Sequence, residues 1–320
     1  MSEPLLQVRN LKTYFYTLKG VVKAVDDVSF ELNRGESLGI AGESGCGKST
    51  LAFSLIRLVP PPGKIAGGSI IFQGRDITKL SEEEFRREVR WQGISMVFQG
   101  AMNVLNPVYT VGDQIAELFM VHKGYTKQEG LKEAERLLQM VGIDPRRVKS
   151  YPFELSGGMK QRVVIAMALA LSPPLVIADE PTTALDVVVQ AQIMNLLKKL
   201  KQELKTSIIL ISHDLSLIAE LADKVAIMYG GKIVEYGQSD LVYNNPQHPY
   251  TKGLLGSIPR LRGEIKDLTW IPGTPPDLIN PPPGCRFHPR CPYAMDKCKK
   301  EEPPIIEVEK GHYVACWLYA

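Results

Sequence analysis

One octapeptide limits what this chain can become. Gly42-Glu43-Ser44-Gly45-Cys46-Gly47-Lys48-Ser49 fits the pattern G-x-x-x-x-G-K-[ST] at every fixed position. An apolar stretch from Leu38 to Ala41 enters it as a strand, and Thr50 to Ile56 leaves it at helical spacing. Glycines let such a turn curl until successive N–H groups converge on phosphate oxygens, and the following helix adds its positive end. Lys48 is then placed to reach β- and γ-phosphates, and the Ser49 hydroxyl to hold Mg²⁺. A glycine-rich turn that binds nothing is the alternative. The pattern arises by chance in on the order of one chain in a hundred of this length, so the stretch reads as a nucleotide site.

The 320 residues leave room for one large domain and a smaller one. Hydrophobic residues at 44% and charged residues at 23% fit a soluble globular chain. A net charge of +3 is too mild to argue for nucleic acid. The clusters Arg86-Arg87 with Arg90 and Arg146-Arg147 with Lys149 read as solvated faces. No apolar run approaches the ~18–20 residues of a membrane span, and Met1-Ser2-Glu3-Pro4 lacks a signal pattern. A cytosolic chain is expected, reaching membranes through partner proteins.

Residues 5–34 read as strands, with Tyr14-Phe15-Tyr16 between them. These aromatics either stack on a purine or pack in a sheet. Gly68 to Arg75 and Ile94 to Gln99 read as further strands, and Ser81-Glu82-Glu83-Glu84 as a capped helix start. Thr110–His122 and Lys127–Val141 space apolar residues as amphipathic helices, an insertion over residues 100–150. Ser156 suits an N-cap before an alanine-rich helix, and Gly157-Gly158 expose N–H groups there. Leu175 to Ala178 fits a strand covered on both faces, with Asp179 and Glu180 at its carboxyl end, where open α/β sheets bind ligands. Asp179 would order Mg²⁺ through water, and Glu180 would polarise the attacking water as general base. Ile208 to Ile211 is another buried strand, ending near His213. Lys224 to Gly237 reads as a hairpin with a Gly-Gly turn, and residues 259–304 are too rich in proline for regular structure.

In this order the segments resemble the ATP-binding cassette (ABC) ATPases. The P-loop, Gln99, Leu155-Ser156-Gly157-Gly158-Met159-Lys160-Gln161, Asp179-Glu180, Ala184-Leu185-Asp186 and His213 match Walker A, Q-loop, signature, Walker B, D-loop and switch histidine. Cys46 stands where a serine is frequent, and Thr183 precedes Ala184 where many members have serine. The resemblance spans roughly residues 5–240. It implies an α/β P-loop NTPase (RecA-like) core with an antiparallel β subdomain and a helical subdomain at about 100–165. The cassette would cover 1–258, and a C-terminal extension 259–320.

It also implies ATP bound between the P-loop of one cassette and the signature of another. Gly42, Ser44, Gly45, Cys46, Gly47, Lys48, Ser49 and Thr50 would hold phosphates, with Phe15 stacked on adenine. Ser49, Gln99 and Asp179 would serve Mg²⁺, while Ser156, Gly157, Gly158 and Asp186 face a second subunit. Lys48, Gln99, Glu180 and His213 would be catalytic. Asn106-Pro107-Val108-Tyr109 through Ile115 and His248-Pro249-Tyr250 through Leu255 resemble the oligopeptide/dipeptide importer branch, and Gly20 to Asp26 its first, D-type ATPase. That branch implies a heterodimer with a sister ATPase, two transmembrane permeases and an extracytoplasmic binding protein, at the cytoplasmic face of the membrane. Some members carry oligosaccharides. A soluble cassette of DNA repair or translation is the reading of another class, disfavoured by the single P-loop.

Cys285, Cys291, Cys298 and Cys316 crowd the end of the chain. A cytosolic compartment disfavours disulfides, and a proline-rich tail lacks a core of its own, so a metal staple is expected. Four thiolates suit tetrahedral zinc or an iron–sulfur cluster; resemblance to the importer branch implies a [4Fe–4S] cluster, with zinc as the alternative. His288 reads as a bystander.

Overall fold

A computed structural model describes residues 3–100, 104–257 and 270–320. Its strands are β1 (Leu6–Thr17), β2 (Gly20–Leu32), β3 (Ser37–Ala41), β4 (Gly63–Phe72), β5 (Arg75–Asp76), β6 (Ile94–Val97), β7 (Leu175–Asp179), β8 (Ser207–Ile211), β9 (Lys224–Tyr229), β10 (Lys232–Gln238), β11 (Ile305–Glu309) and β12 (His312–Ala315). The chain divides into two compact units, one of Met1–Leu32, Ser37–Thr78 and Ile211–Ala320, the other of Asn33–Glu36 and Lys79–Leu210.

The first unit holds an antiparallel sheet in the order β2-β1-β4-β5. Val28, Phe30 and Leu32 of β2 are buried while Glu31 is exposed, the period-two alternation of a strand with one covered face. A second set of strands runs β11-β12-β10-β9-β3. Strand β3 is buried at all five residues and pairs in parallel with β9, so it has no wet face and needs no polar alternation. Strands β9 and β10 form the expected hairpin, with Gly230 and Gly231 both at positive φ as a two-residue turn demands.

The tail departs from expectation. Instead of an irregular segment awaiting a staple, β11 and β12 form an antiparallel hairpin, and β12 pairs with β10 through Glu235↔Val314 and Tyr236↔Tyr313. A free strand edge is thereby covered. Phe287, 2% exposed, enters a cluster with Tyr229 and Tyr250 at ring-centroid distances of 5.1 and 5.4 Å. Ion pairs made by two buried arginines join Arg286 to Asp26 and Arg290 to Glu43. Among the described residues no group of three or more His, Cys, Asp or Glu is placed to hold a metal ion. The four tail cysteines are free. Burial pushes the Cys285 thiol up to about 11, and Cys298, Cys316 and Cys291 oppose its ionisation further. Burial likewise raises Cys291 and Cys316. The tail folds because it borrows the core of the first unit.

The second unit sets β8, all but its last residue, beside β7 and β6, with β6 and β7 parallel. Helices Val111–Lys123 and Lys127–Met140 form the expected amphipathic pair, capped by Thr110 and by a Thr126–Glu129 capping box. Ala134, Leu137, Leu138 and Val141 are buried as their spacing foretells, whereas Leu131 is only half-buried. Helices Glu82–Glu88, the expected Ser81-capped one, Gly157–Leu169 and Val187–Leu204 also lie in the unit. Residues 101–103 of the expected insertion, and the expected boundary at 258/259, lie outside the described residues. Among those described, no helix is long and apolar enough to cross a membrane.

Because Phe287 lies in the core of its unit, Phe287→Ala should lower stability to urea by about 3–5 kcal/mol. A loss under ~1 kcal/mol would mean the tail is a mere appendage.

Candidate nucleotide site

In the first unit the phosphate loop turns through left-handed backbone at Gly42, Gly45 and Gly47, with φ of 152°, 78° and 105°. A Cβ at Gly42 would lie 2.2 Å from the Met228 carbonyl oxygen, and one at Gly47 would lie 2.0 Å from that of Ala24. Glycine is required at both for conformation and for space. Gly47 then caps helix Lys48–Leu55 without any side-chain hydrogen bond, so the first N–H groups of the helix remain available to an anion. Lys48 is 6% exposed, and its Nζ donates to the carbonyls of Gly42 at 2.6 Å and Glu43 at 3.0 Å. Cys46, 2% exposed, lies 3.7 Å from that Nζ; burial raises its thiol pKa, so it contributes packing. Ser44 and Gly45 are exposed, while Ser49 and Thr50 are half-buried.

Of the three aromatics, Tyr14 donates to Asp26 at 2.5 Å and is committed to that bond. Tyr16 carries the Lys64 ammonium 4.5 Å from its ring centroid. Half-buried Phe15 lies against Gly63, where an added Cβ would come within 2.6 Å of its ring. His213 is exposed just beyond β8.

In the second unit Asp179 ends β7 and is 1% exposed. Glu180 follows at a left-handed φ of 45°, which turns its side chain out of the strand's alternation. Its Oε2 accepts from Gln99 Nε2 at 3.0 Å and from Thr183 Oγ1 at 2.9 Å. Gln99 and Glu180, 81 residues apart, are thus brought together. A carboxylate accepting two hydrogen bonds is held in one rotamer. Ser156 caps helix Gly157–Leu169 by accepting from the Met159 N–H at 3.4 Å. A Cβ on Gly158 would meet Val189 at 2.7 Å. Asp186 caps Val187–Leu204, accepting from the Val189 N–H at 2.9 Å. Hydroxyl and carboxylate oxygens at Ser49 and Asp179 are the hard donors Mg²⁺ prefers.

Residues 25–183 match the ABC transporter family profile, and residues 234–298 match the oligopeptide/dipeptide transporter C-terminal region. The dipeptide transport ATP-binding protein DppD of Bacillus subtilis is 50% identical over 99% of this chain and 95% of its own length. The oligopeptide transport ATP-binding protein OppD of Escherichia coli is 49% identical over 99% of this chain and 94% of its own. The chain belongs to the ABC transporter family. As an ABC ATPase it is an ATP-hydrolysing transport subunit. A solved dimeric ATP-binding cassette, MJ0796 bound to ADP and Pi, matches with a TM-score of 0.66 at 28% identity, covering 73% of this chain and 98% of that one.

The branch-marking stretch of this ABC ATPase has a local task that spacing did not reveal. Tyr250, fully buried, accepts from the Glu43 N–H at 2.8 Å and so reaches the phosphate loop. His248 presents Nδ1 to the Tyr250 N–H at 3.0 Å, capping helix Pro249–Gly256. Its own N–H donates to Glu235, which also contacts His312 of the tail at 2.8 Å. Sequence reasoning missed Glu43, Tyr250 and Arg290 as holders of the loop, and Thr183 as a donor to Glu180. An acidic residue inside a phosphate loop was a signal that a counter-charge must exist; its partner 247 residues later was not legible.

Burial depresses the His248 pKa from 6.5 to about 4, against a smaller opposing effect of Glu235. The folded pKa is lower, so this contribution to stability is full above pH 6.5 and falls as the unfolded chain alone takes up a proton between 6.5 and 4. The unfolding free energy from urea titrations should decline across that window by about a few kcal/mol. His248→Asn, which keeps a capping oxygen, should flatten the decline; an unchanged pH profile would remove His248 from it.

Proposed function

We propose that this chain is the first, D-type ATPase of an importer that moves dipeptides or oligopeptides through two permease subunits. It would work at the cytoplasmic face of the membrane, beside a sister ATPase and with an extracytoplasmic binding protein delivering cargo. The observation that carries the reading is near-full-length identity of 49–50% to dipeptide and oligopeptide transport ATP-binding proteins. Cargo itself is chosen outside the motor, so an oligosaccharide would be driven by the same chemistry.

In this reading residues 1–258 form the cassette and 259–320 its extension. ATP joins the P-loop of one subunit to the signature of the other. Lys48 and the N–H groups of Gly42, Ser44, Gly45, Cys46, Gly47, Ser49 and Thr50 take the phosphates, and Phe15 faces adenine. Ser49, Gln99 and Asp179 would hold Mg²⁺, which neutralises charge on the β- and γ-phosphates. Glu180 takes the proton of the attacking water, Gln99 fixes the Glu180 rotamer, and His213 steadies the γ-phosphate. Ser156, Gly157, Gly158 and Asp186 act on the sister's nucleotide, so ATP closes the pair and hydrolysis releases it. Support comes from the shared hydrogen bond of Gln99 and Glu180 and from the uncapped helix start at Lys48.

Glu180→Gln should leave ATP binding intact while turnover in the assembled transporter falls at least a hundredfold, roughly 2.7 kcal/mol of barrier. Normal turnover would refute Glu180 as base. The [4Fe–4S] cluster enters no step. Iron analysis of anaerobically purified protein tests it separately: about four irons per chain would restore the cluster, and colourless, iron-free, folded protein would dismiss it.

A further inference from the structure

Glu43 brings a carboxylate into a turn whose N–H groups serve a polyanion. Three contacts hold it. Its N–H donates to the Tyr250 hydroxyl at 2.8 Å, and its carbonyl accepts from Lys48 Nζ at 3.0 Å. Its carboxylate takes the guanidinium of Arg290 in a two-pronged bond of 2.6 and 2.9 Å. Every N–H of Arg290 has an acceptor. Nε donates to the Pro272 carbonyl at 2.8 Å, Nη1 also to the Tyr229 hydroxyl at 3.3 Å, and Nη2 also to the Ile271 carbonyl at 3.4 Å. The Arg290 side chain is 6% exposed and that of Glu43 26%. So well-satisfied an arginine, aimed at a position the phosphate-loop pattern leaves open, does more than fill space.

We propose that Arg290 is a positioning residue for ATP, cancelling the charge of Glu43 and fixing the loop so that the C-terminal extension sets nucleotide affinity. This rests on Gly42–Ser49 being the phosphate-binding loop. An uncompensated carboxylate within roughly 10 Å of the phosphates weakens binding by about fivefold at intermediate dielectric. The penalty grows with nucleotide charge, so ATP suffers more than ADP, and it shrinks with added salt. A residue that only packs would affect ATP and ADP alike, and removing the Glu43 charge would not repair its loss.

Binding of Mg·ATP and Mg·ADP to the full-length chain by titration calorimetry tests this. Arg290→Gln should weaken ATP about fivefold and ADP less, with the gap closing at high salt. Arg290→Gln with Glu43→Gln should return ATP affinity to within about twofold of the natural chain. Arg290→Lys, which keeps the charge but not the fork, should retain most of it. Unchanged ATP affinity in Arg290→Gln, equal losses for both nucleotides, or failure of the double variant to recover would each overturn the proposal. Should Arg290→Gln not fold, Glu43→Gln alone decides: it should bind ATP at least as tightly as the natural chain, and weaker binding overturns the proposal. Failure of the natural chain to bind either nucleotide would instead sink the loop assignment.

Discussion

A backbone that must pass through left-handed φ at three places within six residues governs the first unit. Side chains at Gly42 and Gly47 would run into the carbonyls of Met228 and Ala24, so the loop is clamped between the hairpin strand β9 and strand β2. Because the loop is closed this tightly, Lys48 can fold its ammonium back onto the carbonyls of Gly42 and Glu43. The helix that follows starts without a side-chain cap. Turn, lysine and helix end are one device, and each needs the same glycines.

The C-terminal extension is part of that device. Its proline-rich composition cannot supply a core, yet it needs none, since Phe287 completes an aromatic cluster begun by Tyr229 and Tyr250. Arg286 and Arg290 bring positive charge to Asp26 and Glu43. An arginine buried in such a pair gains from low dielectric only where its remaining donors are also satisfied. Arg290 meets this condition through Pro272, Ile271 and Tyr229, and Arg286 also donates to the Gly230 carbonyl.

In the second unit, chemistry gathers where strand β7 ends. Parallel strands buried on both faces offer their carboxyl ends as the place for polar side chains. Asp179 is the last residue inside the strand and stays buried; Glu180 turns out of it and meets Gln99 and Thr183. The same unit caps its helices with Ser156 and Asp186, so both residues carry a structural duty beside any role toward a second subunit.

Local pattern alone determined the P-loop turn, the buried strands β7 and β8, the Gly-Gly hairpin, the two amphipathic helices and their Thr110 and Thr126 neighbourhoods. Each is set by interactions within a few residues: φ freedom, side-chain period and capping. Only the tertiary structure decided that residues after 304 form strands, that Tyr250 bonds the Glu43 peptide and that Arg290 faces the Glu43 carboxylate. The two Glu43 contacts close over more than 200 residues, and composition carries no record of which distant surface a segment will meet. The proline count pointed to an irregular tail, whereas past residue 304 pairing with an existing sheet edge builds strands.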